Sequence, residues 1–134
     1  MNRLKTKIKD IQTQGELAKV TLSFANVTLT SLVIDIESSM HLYKGQEVNI
    51  LFKEMEVLIA DKKALVSASN AFVSKISQIE KGKLVSKVVF DFYDQKIVSI
   101  ITTASLQRLQ LAQGLEFLWF VKANEITLQR CEDV

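Results

Sequence analysis

The sequence predicts an all-β protein made of two tandem five-stranded Greek-key barrels, each with one short helix. Three observations lead to this prediction: strand-like patterns of apolar residues, turn residues between them, and an internal repeat with an offset of 67 to 69 residues. The chain of 134 residues is long enough for one ordinary domain or two very small ones. We therefore divide it into a first unit, residues 1–64, and a second unit, residues 65–134.

The repeat consists of similar residues that occur in the same order in both units. Asn2 and Ile8 of the first unit correspond to Asn70 and Ile76 of the second. A whole series of such matches is hard to obtain by chance, and the changes in offset require only single-residue insertions or deletions. The other matches pair Gly15 with Gly82, Gly45 with Gly114, Lys53 with Lys122, and Ile59 with Leu128.

Each unit is predicted to contain three strands, a short helix, a fourth strand and a short fifth strand. In the first unit, alternation of apolar and polar residues predicts strands over 16–24 and 46–53, and a run rich in β-branched residues predicts one over 27–36. The stretches 37–43 and 103–112 are predicted to form one or two helical turns. Five strands with one short helix are typical of a small barrel of the OB type.

The units are expected to pack together, because no linker rich in Pro, Gly or Ser separates them. Such small barrels bury little apolar surface alone, so we also expect oligomers in which exposed apolar residues contact other subunits. The residues expected in these contacts are Met40, Leu106, Phe117 and Trp119.

Composition excludes several classes of function. The net charge of +2 is too close to zero to indicate a nucleic-acid partner by itself. Cys131 and His41 are the single cysteine and histidine, which excludes an intrachain disulfide and a cysteine-based zinc site, so we expect no metal. The sequence shows no nucleophile–base pair, paired carboxylates or Gly-rich phosphate loop, so we expect neither an enzyme nor catalytic residues.

The location is expected to be cytoplasmic, with no membrane partner. The apolar runs are too short to span a bilayer. The first seven residues carry positive charge but no apolar core follows them, unlike in a signal peptide.

The second unit contains an ordered set of short motifs: Ser-Ala-Ser-Asn at 67–70, Ile-Thr-Thr-Ala-Ser at 101–105, Leu-Gln-Leu at 109–111 followed by Gly114, and Val-Lys-Ala at 121–123. This set resembles the Mop domain, also called the TOBE domain, whose pattern is S-A-R-N, a glycine turn, I-T-x-x-S, L-x-L-x-x-G and K-A. Two tandem copies resemble the di-Mop arrangement of molbindins and of molybdate-responsive regulators. The resemblance implies OB-like barrels, homo-oligomers such as dimers or trimers, and molybdate or tungstate bound as a ligand between Mop units, with no separate cofactor.

The residues at the motif positions suit a tetrahedral dianion. At neutral pH molybdate has acceptor oxygens only, so its site needs hydrogen-bond donors and positive charge. By the resemblance, the hydroxyl groups of Ser67, Thr102 and Ser105 and the ammonium group of Lys122 bind the oxyanion directly. The wider candidate set adds Ala68, Ser69 and Thr103, with Asn70 and Lys53 as weaker candidates.

Some positions depart from the family pattern. Ser69 stands where the family has arginine, which removes one positive charge from the second unit unless Lys75 or a neighbouring subunit compensates. In the first unit, Ile34 and Glu37 fall where Thr102 and Ser105 fall in the second. We therefore expect the first unit to have a weakened or absent site. Replacing Lys122 by alanine is expected to weaken binding more than replacing Lys53.

Three functional roles remain open from the sequence. The first is binding of molybdate or tungstate for buffering or sensing in molybdenum homeostasis, with a regulator or transporter as a possible partner. The second is a ligand-free interaction module in which both sites have degenerated. The third is an OB-type nucleic-acid binder. We disfavour the third, because Asp91 and Asp94 flank the aromatic residues Phe92 and Tyr93. The basic residues near the N-terminus are a modest patch typical of a solvated strand: Arg3, Lys5, Lys7 and Lys9.

Overall fold

The computed structural model describes residues 1–34 and 41–131, which form two five-stranded antiparallel sheets. It confirms the predicted all-β class with two OB-like units. The strands are β1 (Asn2–Gln14), β2 (Leu17–Phe24), β3 (Val27–Ile34), β4 (Glu47–Phe52), β5 (Leu58–Ala60), β6 (Asn70–Lys81), β7 (Val85–Phe92), β8 (Gln95–Thr102), β9 (Glu116–Val121) and β10 (Thr127–Arg130). The helix α1 spans Thr103–Leu109, and two 3₁₀ helices span Glu54–Glu56 and Ala123–Glu125.

The helix α1 begins at the predicted residue but ends three residues earlier than predicted. Gln110 adopts a left-handed conformation with φ of 54°, and the Leu111 N–H returns to the carbonyl of Leu106 at 3.2 Å. These features are a common way to end a helix. In the first unit, the predicted helical stretch lies largely outside the described residues, and residues 41–43 are not helical.

The two sheets exchange their last strands. The first sheet has the order β10-β4-β1-β2-β3, and the second has the order β5-β9-β6-β7-β8. Thus β10, near the C-terminus, pairs with β4 through Thr127 and Leu51, whereas β5 pairs with β9 through Leu58 and Phe120. Each sheet therefore contains strands from both units. The division of the chain at residue 64 describes the repeat in the sequence and is still a proposal.

One hydrophobic core runs through both sheets. The rings of Phe52 and Trp119 stack with centroids 6.1 Å apart, and those of Phe24 and Phe92 stack at 5.5 Å. Each pair joins a residue before position 64 to one after it, so the units pack together as expected. Aromatic pairs of this kind add to the free energy gained from burial itself.

The expectation that Trp119 and Leu106 are exposed contacts for other subunits is wrong, whereas that for Phe117 stays a prediction. Trp119 and Leu106 are buried, and Phe117 is half-buried. The Trp119 indole lies inside the shared core, where its Nε1 donates a hydrogen bond to Ser74 Oγ at 2.9 Å. Met40 lies outside the described residues.

Two buried asparagines connect each unit to an edge strand of the other sheet. Asn70 Oδ1 accepts a hydrogen bond from the Thr30 N–H at 2.7 Å, and its Nδ2 donates to the Thr30 carbonyl at 2.9 Å. Asn2 makes the matching pair of bonds to Val98, at 2.8 and 2.9 Å. Each carboxamide therefore satisfies backbone groups in the middle of β3 or β8, which would otherwise lack a partner strand.

The helices give no indication of a membrane span. Within residues 1–34 and 41–131, no helix has the length and apolar character needed to cross a bilayer.

We predict that replacing Asn70 by alanine destabilises the whole chain. The change leaves the partly buried backbone N–H and carbonyl of Thr30 unpaired, which costs about 1–3 kcal/mol of unfolding free energy. Urea unfolding followed by circular dichroism measures the loss. The exposed Asn124, replaced by alanine, is the control, and equal losses in the two variants would contradict the assigned role of Asn70.

Candidate anion-binding site

The first group of candidate residues lies where β6 begins and β9 ends. Asn70 pairs with Val121 in the sheet, so the next residues outward, Ser69 and Lys122, lie side by side. Ser67, Ser69 and Lys122 are exposed and Ala68 is half-exposed. We call Ser67, Ala68, Ser69 and Lys122 the Lys122 cluster.

The second group lies at the start of α1. Thr102 precedes the helix, and its Oγ1 accepts a hydrogen bond from the Ser105 N–H at 3.2 Å and donates one to Ser105 Oγ at 2.9 Å. Arg108 Nη2 donates to the same Ser105 Oγ at 3.2 Å. We call Thr102, Ser105 and Arg108 the helix-start cluster.

Arg108 is absent from the set predicted from the sequence. The available signal is its spacing, since residues three apart on a helix are neighbours and Arg108 follows Ser105 by three. Its guanidinium group places a positive charge beside the hydroxyl groups of Thr102 and Ser105. Without Arg108, the second unit would supply no positive charge to these two groups.

Two candidate residues are engaged inside the protein. The Thr103 side chain is buried, where its Oγ1 donates to the Gly82 carbonyl at 2.8 Å and lies 2.7 Å from Ser86 Oγ. Both amide hydrogens of Asn70 are used, by the carbonyls of Thr30 and Val121. We therefore leave Thr103 and Asn70 out of the proposed ligand set.

The two clusters lie at opposite ends of β6. Asn70 at its start is next to the Lys122 cluster, whereas Lys81 at its end pairs with Ser86, close to the pairing of Val85 with Thr102. The 12 residues of β6 span about 40 Å along the strand, at about 3.3 Å per residue. Within the second unit, the structure therefore does not bring Ser67 and Lys122 together with Thr102 and Ser105.

The helix-start cluster instead faces the first unit. Met1, Lys53, Glu54, Met55 and Ile100 line a cavity of about 240 Å³. Thr102 follows Ile100 by two residues in β8, so both side chains lie on the same face of the strand. Lys53, the weaker candidate, thus lies on the same side of β8 as Thr102. We call this place the Lys53 position.

One carboxylate, Glu54, is among the residues that line this cavity. It forms an ion pair with the N-terminal ammonium group of Met1, with the N–O distance at 3.4 Å. The ion pair offsets the negative charge of Glu54 next to Lys53.

The Lys122 cluster faces the opposite strand of the first unit. The hydrogen bonds between Asn70 and Thr30 hold it against β3. By the repeat, Leu32 and Ile34 occupy the positions of Ile100 and Thr102, and both are exposed. An apolar side chain therefore replaces a hydroxyl group there, while Glu37, the match for Ser105, lies outside the described residues.

A pair of carboxyl groups joins the two positions. A hydrogen bond with Glu56, partial burial and the negative charge of Glu56 raise the pKa of Glu125 above its usual 4.5, while Lys122 and Lys53 lower it in part. Glu56 is itself held by the Lys53 N–H, which donates to its Oε1 at 3.3 Å. Glu56 and Glu125 belong to the two 3₁₀ helices and are equivalent in the repeat, so the lysines flank a shared centre.

These features define a class of protein: two OB-like units whose sheets exchange their last strands, with hydrogen-bond donors of one unit facing a lysine of the other. Residues 66–128 match the TOBE domain family, which confirms the resemblance of the second unit to the Mop family. TOBE domains are binding modules, which agrees with the expectation from the sequence that the chain is not an enzyme.

The fold of the whole chain is similar to that of a solved structure. It matches ModG, described as a cytoplasmic molybdate-binding protein, in a form with molybdate bound. The TM-score is 0.90, with 22% sequence identity over 97% of this chain and 96% of that chain. A comparison with curated protein sequences gives no match.

We predict that Glu125→Gln flattens the dependence of stability on pH. Because the folded-state pKa of Glu125 is raised, its contribution is fully present below pH 4.5 and is lost as the pH rises through the folded-state value. The variant removes this loss, so it should gain stability relative to the native protein as the pH increases to neutrality.

Urea unfolding at a series of pH values from acid to neutral checks this prediction. The exposed Glu16, replaced by glutamine, is the control. Parallel curves for the native protein and Glu125→Gln would show that the carboxyl pair is not coupled in solution.

Proposed function

We propose that the protein binds molybdate or tungstate between its two units, at the Lys53 position. The observation that supports this most is the placement of Thr102, Ser105 and Arg108 of the second unit on the side of β8 where Lys53 of the first unit lies. The TOBE match and the likeness to ModG support the choice of ligand.

The donors suit a tetrahedral dianion. Arg108 and Lys53 carry positive charge at neutral pH and have no acceptor atom. The Ser105 hydroxyl accepts hydrogen bonds from Thr102 and Arg108, so it can turn its own hydrogen toward the ligand. Hydrogen bonds to charged groups contribute about 1.5–3 kcal/mol each. Three or four of them suffice for a micromolar dissociation constant, which corresponds to about −8 kcal/mol.

We further propose a second, weaker position at the Lys122 cluster. Lys122, Ser67 and Ser69 supply a charge and two hydroxyl groups, and the Ala68 amide can add a donor. Across from them stands the apolar Ile34. Within one chain this position has fewer donors than the Lys53 position.

The proposed role is that of an oxyanion buffer or sensor in the cytoplasm, serving molybdenum homeostasis. A regulator or a transporter would be the natural partner of a sensor. The other candidate, a ligand-free interaction module, is favoured by Ser69 and Ile34, which stand where the family pattern has an arginine and a hydroxyl group.

We predict that Ser105 and Lys53 act on the same bound anion. Calorimetric titration with molybdate, tungstate and sulfate at one ionic strength measures the affinities of Ser105→Ala, Lys53→Ala and the double variant. Loss of either group should weaken binding by about tenfold or more. The two losses should be non-additive by about 0.5 kcal/mol or more, as for residues in contact with one ligand.

As the matched control, the same set of single and double variants is measured with Lys122→Ala in place of Lys53→Ala. The variant Lys87→Ala tests for a general effect of removing a positive charge. If Ser105 is non-additive with Lys122 instead of Lys53, the site is formed differently, by the second units of two chains in contact with each other. If molybdate and tungstate give no heat at millimolar concentration, the ligand-free module becomes the better account.

We also propose that the chain forms dimers or trimers. Large apolar side chains are exposed near the turns between the first two strands of each unit: Leu17, Leu32 and Ile34 in the first, and Leu84 and Val85 in the second. Sedimentation should give two or three times the chain mass of 15.1 kDa. A monomer at micromolar concentration would contradict this, and replacing Leu84 by serine should shift an oligomer toward monomer.

A further inference from the structure

The outer face of β1 carries a row of four cationic side chains, Arg3, Lys5, Lys7 and Lys9, which we call the basic row. All four are exposed, and they alternate with buried residues of the same strand. Side chains on one face recur every second residue, so Arg3, Lys5 and Lys7 lie about 6.6 Å apart. Lys9 follows at a β-bulge between Ile8 and Asp10, where the regular spacing ends.

The fold itself does not require this row. In β6, which the repeat matches to β1, the corresponding positions are Ala71, Val73, Lys75 and Ser77. The two strands have the same place in their sheets, each between a strand of its own hairpin and the fourth strand of its unit. One cation thus stands in the second unit where the first has four, so the charge is a property of the first unit alone.

The residues opposite the basic row in the neighbouring strands are mixed. Asn49 and Glu47 of β4 lie opposite Lys5 and Lys7, and Ser23 of β2 lies opposite Lys7. At the far end the row enters a depression of about 390 Å³. Its polar lining residues are Lys7, Lys9, Ser23, Asn26 and Thr28.

The matching depression in the second unit has a different character. It is lined by Lys75 and Ser77 together with the carboxylate of Asp91, which pairs with Lys96. Near the basic row, Glu47 forms an ion pair with Lys5 at 3.5 Å. Lys5 is the one member of the row with an ion-pair partner among the described residues.

We propose that the basic row docks an extended acidic segment of a partner protein, with a carboxylate at every second residue. In an extended chain such carboxylates repeat at about 6.6 Å, which is the spacing of Arg3, Lys5 and Lys7. The depression beside Lys7 and Lys9 would receive the last carboxylate. Charge complementarity of this kind gives a partner its orientation and speeds its association.

The same face lacks the features of a nucleic-acid surface. Binding of single strands uses aromatic side chains on which bases stack. The outward positions of β1, β2, β3, β4 and β10 carry no aromatic residue. An acidic protein segment is therefore the favoured occupant.

The test uses fluorescence anisotropy with a labelled peptide of alternating Glu and Ser, about ten residues long, and the full chain at low ionic strength. The variant Lys5→Gln/Lys7→Gln/Lys9→Gln removes three charges from the basic row. Its matched control, Lys75→Gln/Lys87→Gln/Lys96→Gln, removes the same charge from the second unit. All six lysines lie on the surface, and circular dichroism of each variant verifies that it is folded.

We expect the native chain and the control to bind the peptide alike, and the basic-row variant to bind at least about tenfold more weakly. Rising salt should weaken binding of the native chain. Equal losses in both variants, or no binding by the native chain, would overturn the proposal. Tighter binding of an oligothymidine or a DNA duplex of equal charge would assign the surface to nucleic acid and overturn it as well.

Discussion

The exchange of the last strands between the two sheets determines how the two units are joined. Because β10 completes the sheet of β1 to β4 and β5 completes the sheet of β6 to β9, neither sheet is whole without both parts of the chain. The same exchange brings each 3₁₀ helix, and the lysine before it, out of its own unit. Lys53 and Lys122 are therefore placed for contacts with the opposite unit.

The internal repeat creates two equivalent positions for a site, one at Lys53 and one at Lys122. The residues around these two positions differ. In the second unit, β8 ends in Thr102 and continues into a helix that carries Ser105 and Arg108, whereas β3 of the first unit ends in the apolar Ile34. Each unit has one buried asparagine at the equivalent position, Asn2 in the first and Asn70 in the second. Each forms hydrogen bonds with the backbone of an edge strand. The residues that the fold needs are thus present in both units, whereas the polar groups suited to an anion are distributed unequally between the two units.

The strands could be predicted well from the sequence. The alternation of apolar and polar residues is a property of each strand by itself, and the repeat gives the same order of strands in both units. The predicted strand over 16–24 corresponds to Leu17–Phe24, and that over 46–53 corresponds to Glu47–Phe52. The strand exchange could not be predicted, since a short final strand has the same pattern whichever sheet it joins. For the same reason, Thr102 and Lys122 were expected in one site. Trp119 was expected at a subunit contact because its pattern does not show that aromatic rings of both units enclose it.

The most direct test of the central claim, an anion bound between the units, is a crystal structure of the protein with tungstate, recorded at a tungsten absorption edge. The anomalous difference map locates the metal of the oxyanion without reference to the protein atoms. We expect the strongest peak at the Lys53 position, within hydrogen-bonding range of Ser105, Arg108 and Lys53 once the oxygens are placed. A strongest peak at the Lys122 cluster, or none between the units, would contradict it.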